Sequence, residues 1–176
     1  MLKRLFRQSP AYPAGEALYR EAAAKARDPD FYLRAQAPDT VEGRFELYMI
    51  HVILLAMRLR GEGRRAQETS QVMFDAFLRG LDDAMREMGV GDLSVGKKMR
   101  KLGEAFYGRA KGYAAAVDRP DELRALVART LFAETPEAEQ RAGPVAAYVA
   151  LAHSALAAQP TEALLDGRAE FPAVAA

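Results

Sequence analysis

The amino-acid sequence predicts an all-α protein, a single compact helical bundle of about six or seven helices. Three observations carry the reading. Apolar residues recur at helical spacing through most of the chain. No stretch alternates apolar and polar residues as a half-buried strand does, and neither hairpin signals nor an internal repeat occurs. The main Gly and Pro breaks fall between the periodic segments, where they punctuate helices. With 176 residues the chain fits one domain at roughly 100–200 residues each. Residues 1–39 read as an N-terminal helical extension, 40–172 as the main helical domain and 173–176 as a tail.

Each element follows from its residues. Ala14 to Arg27 is rich in Ala, Glu, Lys and Arg, all good helix formers. Asp28-Pro29 caps a short turn through Phe31, Tyr32 and Leu33, and Pro38-Asp39-Thr40 breaks it. Thr40 or Asp39 can cap a helix running to about Arg60. That helix is apolar nearly all round, from Phe45, Leu47 and Ile50 to Leu55 and Leu59, so Phe45 to Leu59 belongs at the bundle centre. Gly61-Glu62-Gly63 ends it. The next helix, about Arg65 to Met88, has one apolar face: Phe74, Phe77, Leu78, Leu81, Met85 and Met88. Asp75 with Arg79, and Asp82 with Arg86, have the i,i+4 spacing of ion pairs on its other side.

After the Gly89-Val90-Gly91-Asp92 loop, Ser94 can cap a helix whose stripe includes Val95, Met99, Leu102, Phe106, Tyr113 and Val117. Gly103, Gly108 and Gly112 inside it suggest a close neighbouring backbone, since each costs ~1 kcal/mol relative to alanine. Pro120 to Phe132 forms a further helix. The last long one spans about Pro136 to Ala158, kinked or restarted at Pro144, and Thr161 to Leu165 is a final turn.

Composition excludes several chemistries. Without cysteine there are no disulfides, thiolate nucleophiles, zinc fingers or iron–sulfur clusters. Two histidines, His51 and His153, leave little room for an imidazole metal site. Neither has a glutamate three residues before it, since those positions hold Tyr48 and Ala150. His51, amid apolar residues, reads as a core histidine with a hydrogen-bond partner. The uncharged apolar stretch Leu47 to Met57, interrupted by His51, is shorter than the ~20 residues a membrane span needs. The start, Met1 to Arg7, is basic and amphipathic and lacks the apolar region of a secretory signal. The expectation is a soluble, cytoplasmic protein with no cofactor, no metal and no catalytic constellation.

The net charge of +1 conceals a gradient. Residues 1–27 carry six Lys/Arg against two Asp/Glu, whereas residues 120–176 carry four against eight. Two basic groups stand out: Arg58, Arg60, Arg64 and Arg65 around one loop, and Lys97, Lys98, Arg100 and Lys101 in the first turns of a helix. Cations at a helix N-terminus oppose the macrodipole, so an anionic partner would explain them. A merely solvated face is the alternative. All eight are candidate partner-binding residues. DNA is not an expected partner, because the basic turns carry no base-reading pattern.

Two motif lookalikes fail on their own terms. Gly91 to Lys98 nearly spells the phosphate-binding Gly-x4-Gly-Lys-Ser/Thr, but Lys98 replaces the Mg²⁺-binding hydroxyl and a helix replaces the preceding strand. Asp82-Asp83-Ala84-Met85-Arg86 is reminiscent of the aspartate-rich motif of all-α prenyl-diphosphate enzymes, with Arg86 where the last carboxylate belongs. An enzyme on an isoprenoid or lipid-like substrate therefore stands as the alternative function, and a ribosome- or RNA-associated factor as a weaker third.

The central stretch resembles the ubiquinol–cytochrome c chaperone family. The resemblance rests on Phe45 to Val52 running into Met57-Arg58-Leu59-Arg60-Gly61-Glu62-Gly63, then Arg86 to Leu93, Lys97-Lys98-Met99, Phe106-Tyr107-Gly108-Arg109 and Tyr113. It covers about Thr40 to Pro172. It implies an all-helical, non-enzymatic chaperone that assists cytochrome b, or another bc1 component, during assembly of the bc1 complex. In mitochondrial relatives the role includes a small helper subunit and ribosome contact. Work on a membrane client places the expected site of action at the inner face of the cytoplasmic membrane, with basic residues meeting lipid headgroups or acidic loops.

Overall fold

In the computed structural model, which describes residues 9–175 apart from the side chains at 92 and 93, the chain is helical without strands among the described residues. The basic start, Met1 to Arg7, lies outside the described residues. Among the described residues six helices exceed ten residues: α1 (Ala11–Ala26), α3 (Val41–Leu59), α4 (Arg64–Glu87), α5 (Asp92–Ala116), α6 (Pro120–Leu131) and α8 (Gly143–Ala157). The short turns α2 (Asp30–Leu33), α7 (Ala138–Arg141) and α9 (Thr161–Leu165) connect or close them.

Helix α3 is the axle. It buries eleven residues, among them Leu47, Ile50, Val52, Ile53, Leu54, Leu55 and Leu59. The Thr40 hydroxyl caps it by accepting from the Gly43 amide at 3.0 Å. A four-residue loop returns the chain as α4, antiparallel to α3, with α1 laid along α4. The α1–α4 approach is close: a Cβ at Gly15 would stand 2.6 Å from Val72 Cβ and 2.8 Å from the Thr69 carbonyl. Ala14, Leu18, Ala22 and Ala26 of α1 are all buried, so the segment read as an extension contributes to the common core. Helices α5, α6 and α8 complete the packing around α3. The tail folds back, with Val174 buried and the Phe171 ring centred 5.0 Å from the His51 ring, nearly perpendicular to it.

Several local expectations differ. Helix α5 starts at Asp92 with Gly91 as its cap, so Ser94 lies inside the helix rather than capping it. Of its internal glycines only Gly112 faces a neighbour, Leu126 at 3.3 Å; a Cβ at Gly103 or Gly108 would meet nothing within 4 Å. Arg86 does pair with Asp82 at 2.6 Å, but Arg79 reaches across to Glu16 on α1. Asp75 instead accepts from Gln71 at 2.8 Å. The restart expected at Pro144 does occur: α7 and α8 are separate pieces, with Pro144 in the first turn of α8, where its missing N–H costs nothing.

Candidate functional site: two charge-rimmed grooves

Two grooves open where α3, α4 and α5 meet. The first, about 660 Å³, lies at the start of α3 and the end of α4. Phe45 and Tyr48 of α3, Leu81 and Met85 of α4, and Leu102 of α5 form its floor. Burial raises the pKa of the Tyr48 hydroxyl, so the floor carries no charge. Met88 and Val41 stand at the edge, 58% and 61% exposed, although Met88 continues the apolar stripe of α4 by spacing.

Four cations border this groove, Arg27, Arg44, Lys98 and Lys101, against one acid, Glu42. Arg44 pairs with Asp39 at 2.6 Å and lies over the Tyr32 ring. Lys98 and Lys101 form no ion pair among the described residues. Their placement follows from helix geometry: 98, 101, 102 and 105 are i, i+3, i+4 and i+7, one face of α5. Lys97 and Arg100 are exposed and line neither groove. That spacing could have separated the four in the sequence; the contributions of Arg27 and Arg44 could not have been read, because they depend on tertiary packing.

The second groove, about 670 Å³, lies at the other end, where α3 finishes and α4 begins. Arg60 and Arg64 border it. Helix α4, 24 residues and so about 36 Å long, separates the loops that carry the two basic groups. Phe77, 1% exposed, is packed between the grooves, with Tyr48 at 4.9 Å on one side and Phe106 at 5.8 Å on the other.

The other two arginines of this group, Arg58 nearly buried and Arg65 exposed, make tertiary contacts. Arg58 donates to the carbonyls of Leu156 at 2.9 Å and Gln159 at 2.8 Å, to the Thr161 hydroxyl at 2.8 Å, and pairs with Glu62. Arg65 donates to the Leu165 carbonyl at 2.9 Å. Arg58 holds the α8–α9 connection, and Arg65 the end of α9, against the α3–α4 corner.

His51 is fully buried, with both ring nitrogens engaged as a core histidine requires. Asp82 and Asp83 line neither groove. Among the described residues no three His, Asp or Glu side chains gather as a metal site would need. No helix among them is long and apolar enough to cross a membrane. The Gly91 to Lys98 lookalike spans the α4–α5 turn and the start of α5, with no strand before it.

The described residues form an all-helical scaffold that presents two apolar grooves under cationic rims. Comparison with known proteins identifies the scaffold. The model of the family described as ubiquinol-cytochrome C chaperone matches residues 33–171, well over half of the chain. The chain belongs to that family. It is 26% identical over 133 residues to ubiquinol-cytochrome c reductase complex assembly factor 1 of Mus musculus, covering 75% of this chain and 45% of that one. The Homo sapiens protein of the same name is 28% identical over 116 residues, covering 65% and 39%. The chain therefore spans less than half the length of these two relatives. The crystal structure of the Cbp3 homolog from Brucella abortus superposes with a TM-score of 0.86 at 34% identity, over 99% of this chain and 98% of that one.

Proposed function

We propose that the chain is a non-enzymatic assembly chaperone of the ubiquinol–cytochrome c reductase (bc1) complex. It holds an apolar segment of cytochrome b in the Lys98–Lys101 groove. The observation that carries the reading is the pairing of an uncharged apolar floor with four cations against one acid at the rim. A membrane protein awaiting its partners exposes apolar helix surface next to charged loops or lipid headgroups. A groove of this make covers the apolar part, and the lysines meet the anionic part. Met85 and Met88 suit such a task, since the unbranched thioether side chain adapts to irregular surfaces. The assembly-factor names of the relatives support the same reading. The chaperone works at the inner face of the cytoplasmic membrane, where its client is inserted.

The test combines Lys98→Glu with Lys101→Glu in the host. Both residues are exposed and without ion pairs among the described residues, so stability should change by ~0.5 kcal/mol or less. The expected result is a loss of assembled bc1 complex with an unchanged melting temperature. A photo-crosslinker at Met88 should link to cytochrome b in the wild type and not in the double variant. Normal assembly together with no cytochrome b adduct overturns the proposal.

A further inference from the structure

The groove at the opposite end of α4 has a different make, and the client reading does not use it. Ile53, Met57, Phe74 and Phe106 provide apolar lining. Tyr107 lies beside them with its ring 6.0 Å from Phe74 and 6.0 Å from Phe106, yet it is 67% exposed. Two cations and no carboxylate line the groove. Arg60 forms no ion pair among the described residues. Arg64 reaches only Glu68, at 3.7 Å, and its side chain is 90% exposed.

We infer that this groove docks an amphipathic helix bearing acidic residues, supplied by a second protein partner. The floor lies between helices α4 and α5, the setting in which a partner helix lays its apolar face into a trough. Tyr107 is the kind of residue that anchors such contacts, a large aromatic ring held partly out of the core. Carboxylates flanking the partner's apolar face meet Arg60 and Arg64, whose planar guanidinium groups pair with them two bonds at a time. Gln67 and Ser70 on α4 supply neutral hydrogen-bonding groups along one side. An anionic lipid surface fits less well, because polybasic lipid sites gather about four to eight cations and this groove has two. No residue lines both grooves, so filling one leaves the lining of the other free.

The experiment selects binders from a phage-displayed library of short amphipathic helices on the full chain. Selected peptides are then made synthetically, and their Kd values are read by fluorescence anisotropy on four proteins: wild type, R60E/R64E, Tyr107→Ser and K98E/K101E. The expected winners carry Asp or Glu beside an apolar face. They bind about tenfold or more weakly to R60E/R64E and to Tyr107→Ser, and equally well to K98E/K101E. The neutral R60Q/R64Q protein replaces the reversal variant if that one melts early. Three results overturn the inference: no acidic enrichment among binders, equal affinity for the Arg60/Arg64 variants, or displacement of the peptides by phosphatidylglycerol vesicles. The last would make the groove a lipid site. Because K98E/K101E is the variant expected to fail in the client test, failure of either proposal is distinguishable from failure of the other.

Discussion

The hydroxyl of Tyr148 on α8 lies 2.8 Å from Nε2 of His51 on α3, joining two side chains 97 residues apart in sequence. The other ring nitrogen, Nδ1, is 2.7 Å from the Leu47 carbonyl, which can only accept. Nδ1 therefore carries the proton, and Nε2 accepts from the tyrosine hydroxyl. Phe31 closes the site with its ring nearly perpendicular to both, its centroid 5.5 Å from that of His51 and 4.8 Å from that of Tyr148.

This arrangement predicts a neutral histidine and an acid-sensitive fold. Burial lowers the His51 pKa from 6.5 to about 4, because the charged ring has no solvent in its site. In the unfolded chain the same ring takes up its proton near pH 6.5. Its contribution to stability is thus intact above that pH and is lost as the pH falls from 6.5 towards 4. The loss amounts to up to roughly 3 kcal/mol at the lower limit. Urea midpoints across this range should fall, and the His51 ring proton signals should not titrate near pH 6.5 in the folded protein. A normal titration there would show the ring to be solvated.

Tyr148→Phe removes the donor while keeping the ring. Nε2 is left buried and unsatisfied, at a cost of about 1–3 kcal/mol. Thermal melting of the variant checks this, and an unchanged melting temperature would mean that another donor reaches the imidazole.

Glu46 and Arg109 form the second cross-helix lock. The guanidinium donates twice, Nε to Oε2 at 3.1 Å and Nη2 to Oε1 at 3.0 Å, and so ties α5 to α3. The glutamate side chain is nearly buried, and the arginine pKa is raised by its hydrogen bonds to the carboxylate. Glu46→Gln leaves the guanidinium half-buried without its counter-charge, and should cost about 1–3 kcal/mol. The double variant Glu46→Gln/Arg109→Met should lose less than the sum of the two single variants. Full additivity in denaturant midpoints would show the pair to be unimportant.

What could be read from the chain, and what could not, divides on range. The all-round apolar run of Phe45 to Leu59 can only sit at a bundle centre, so its place was legible. Helix ends were legible to within a few residues, because Pro38, Gly61, Gly63, Gly89 and Pro120 punctuate them. The grooves were not. Whether Met88 is covered depends on where α5 crosses α4, and its periodicity says only which way it faces. Arg79 has an acid four residues away, yet pairs with Glu16, 63 residues distant, because α1 brings that carboxylate closer. Arg58 reads as a surface cation, since the carbonyls that bind it are about 100 residues further on.

Glycines of α3 and α5 should respond oppositely to the same change. A Cβ at Gly43 would fall 2.1 Å from the Pro38 carbonyl, a backbone contact that cannot move aside cheaply. Gly43→Ala should therefore destabilise the protein despite alanine's better helix propensity. At Gly108 the added Cβ meets open space, so Gly108→Ala should gain up to about 1 kcal/mol. That gain corresponds to a rise of about 2–4 °C in Tm for a chain of this size. A fall in Tm for Gly108→Ala would place an uncharted neighbour against that face of α5.

The basic residues around the α3–α4 loop should separate into two kinds when each is changed. Arg58 has an 11% exposed side chain and satisfies two carbonyls, a hydroxyl and Glu62 at once. Arg58→Lys retains the charge, but its single ammonium cannot span that fan of acceptors. It should lower stability by about 1–3 kcal/mol through the unsatisfied carbonyls, and Arg58→Glu should do more damage. Arg60→Glu with Arg64→Glu touches only exposed side chains, so Tm should hold within the change expected of ~0.5 kcal/mol. Under the proposed function, a screen of bc1 assembly alone cannot separate the two kinds, since a chaperone that unfolds also fails its client. Melting curves recorded beside the assembly assay separate them. Loss of assembly with early melting marks Arg58 as part of the frame, whereas loss with normal melting marks Arg60 and Arg64 as part of a contact surface. Normal melting for Arg58→Lys would mean that the α8–α9 connection is held without it, and would return Arg58 to the candidate contact residues.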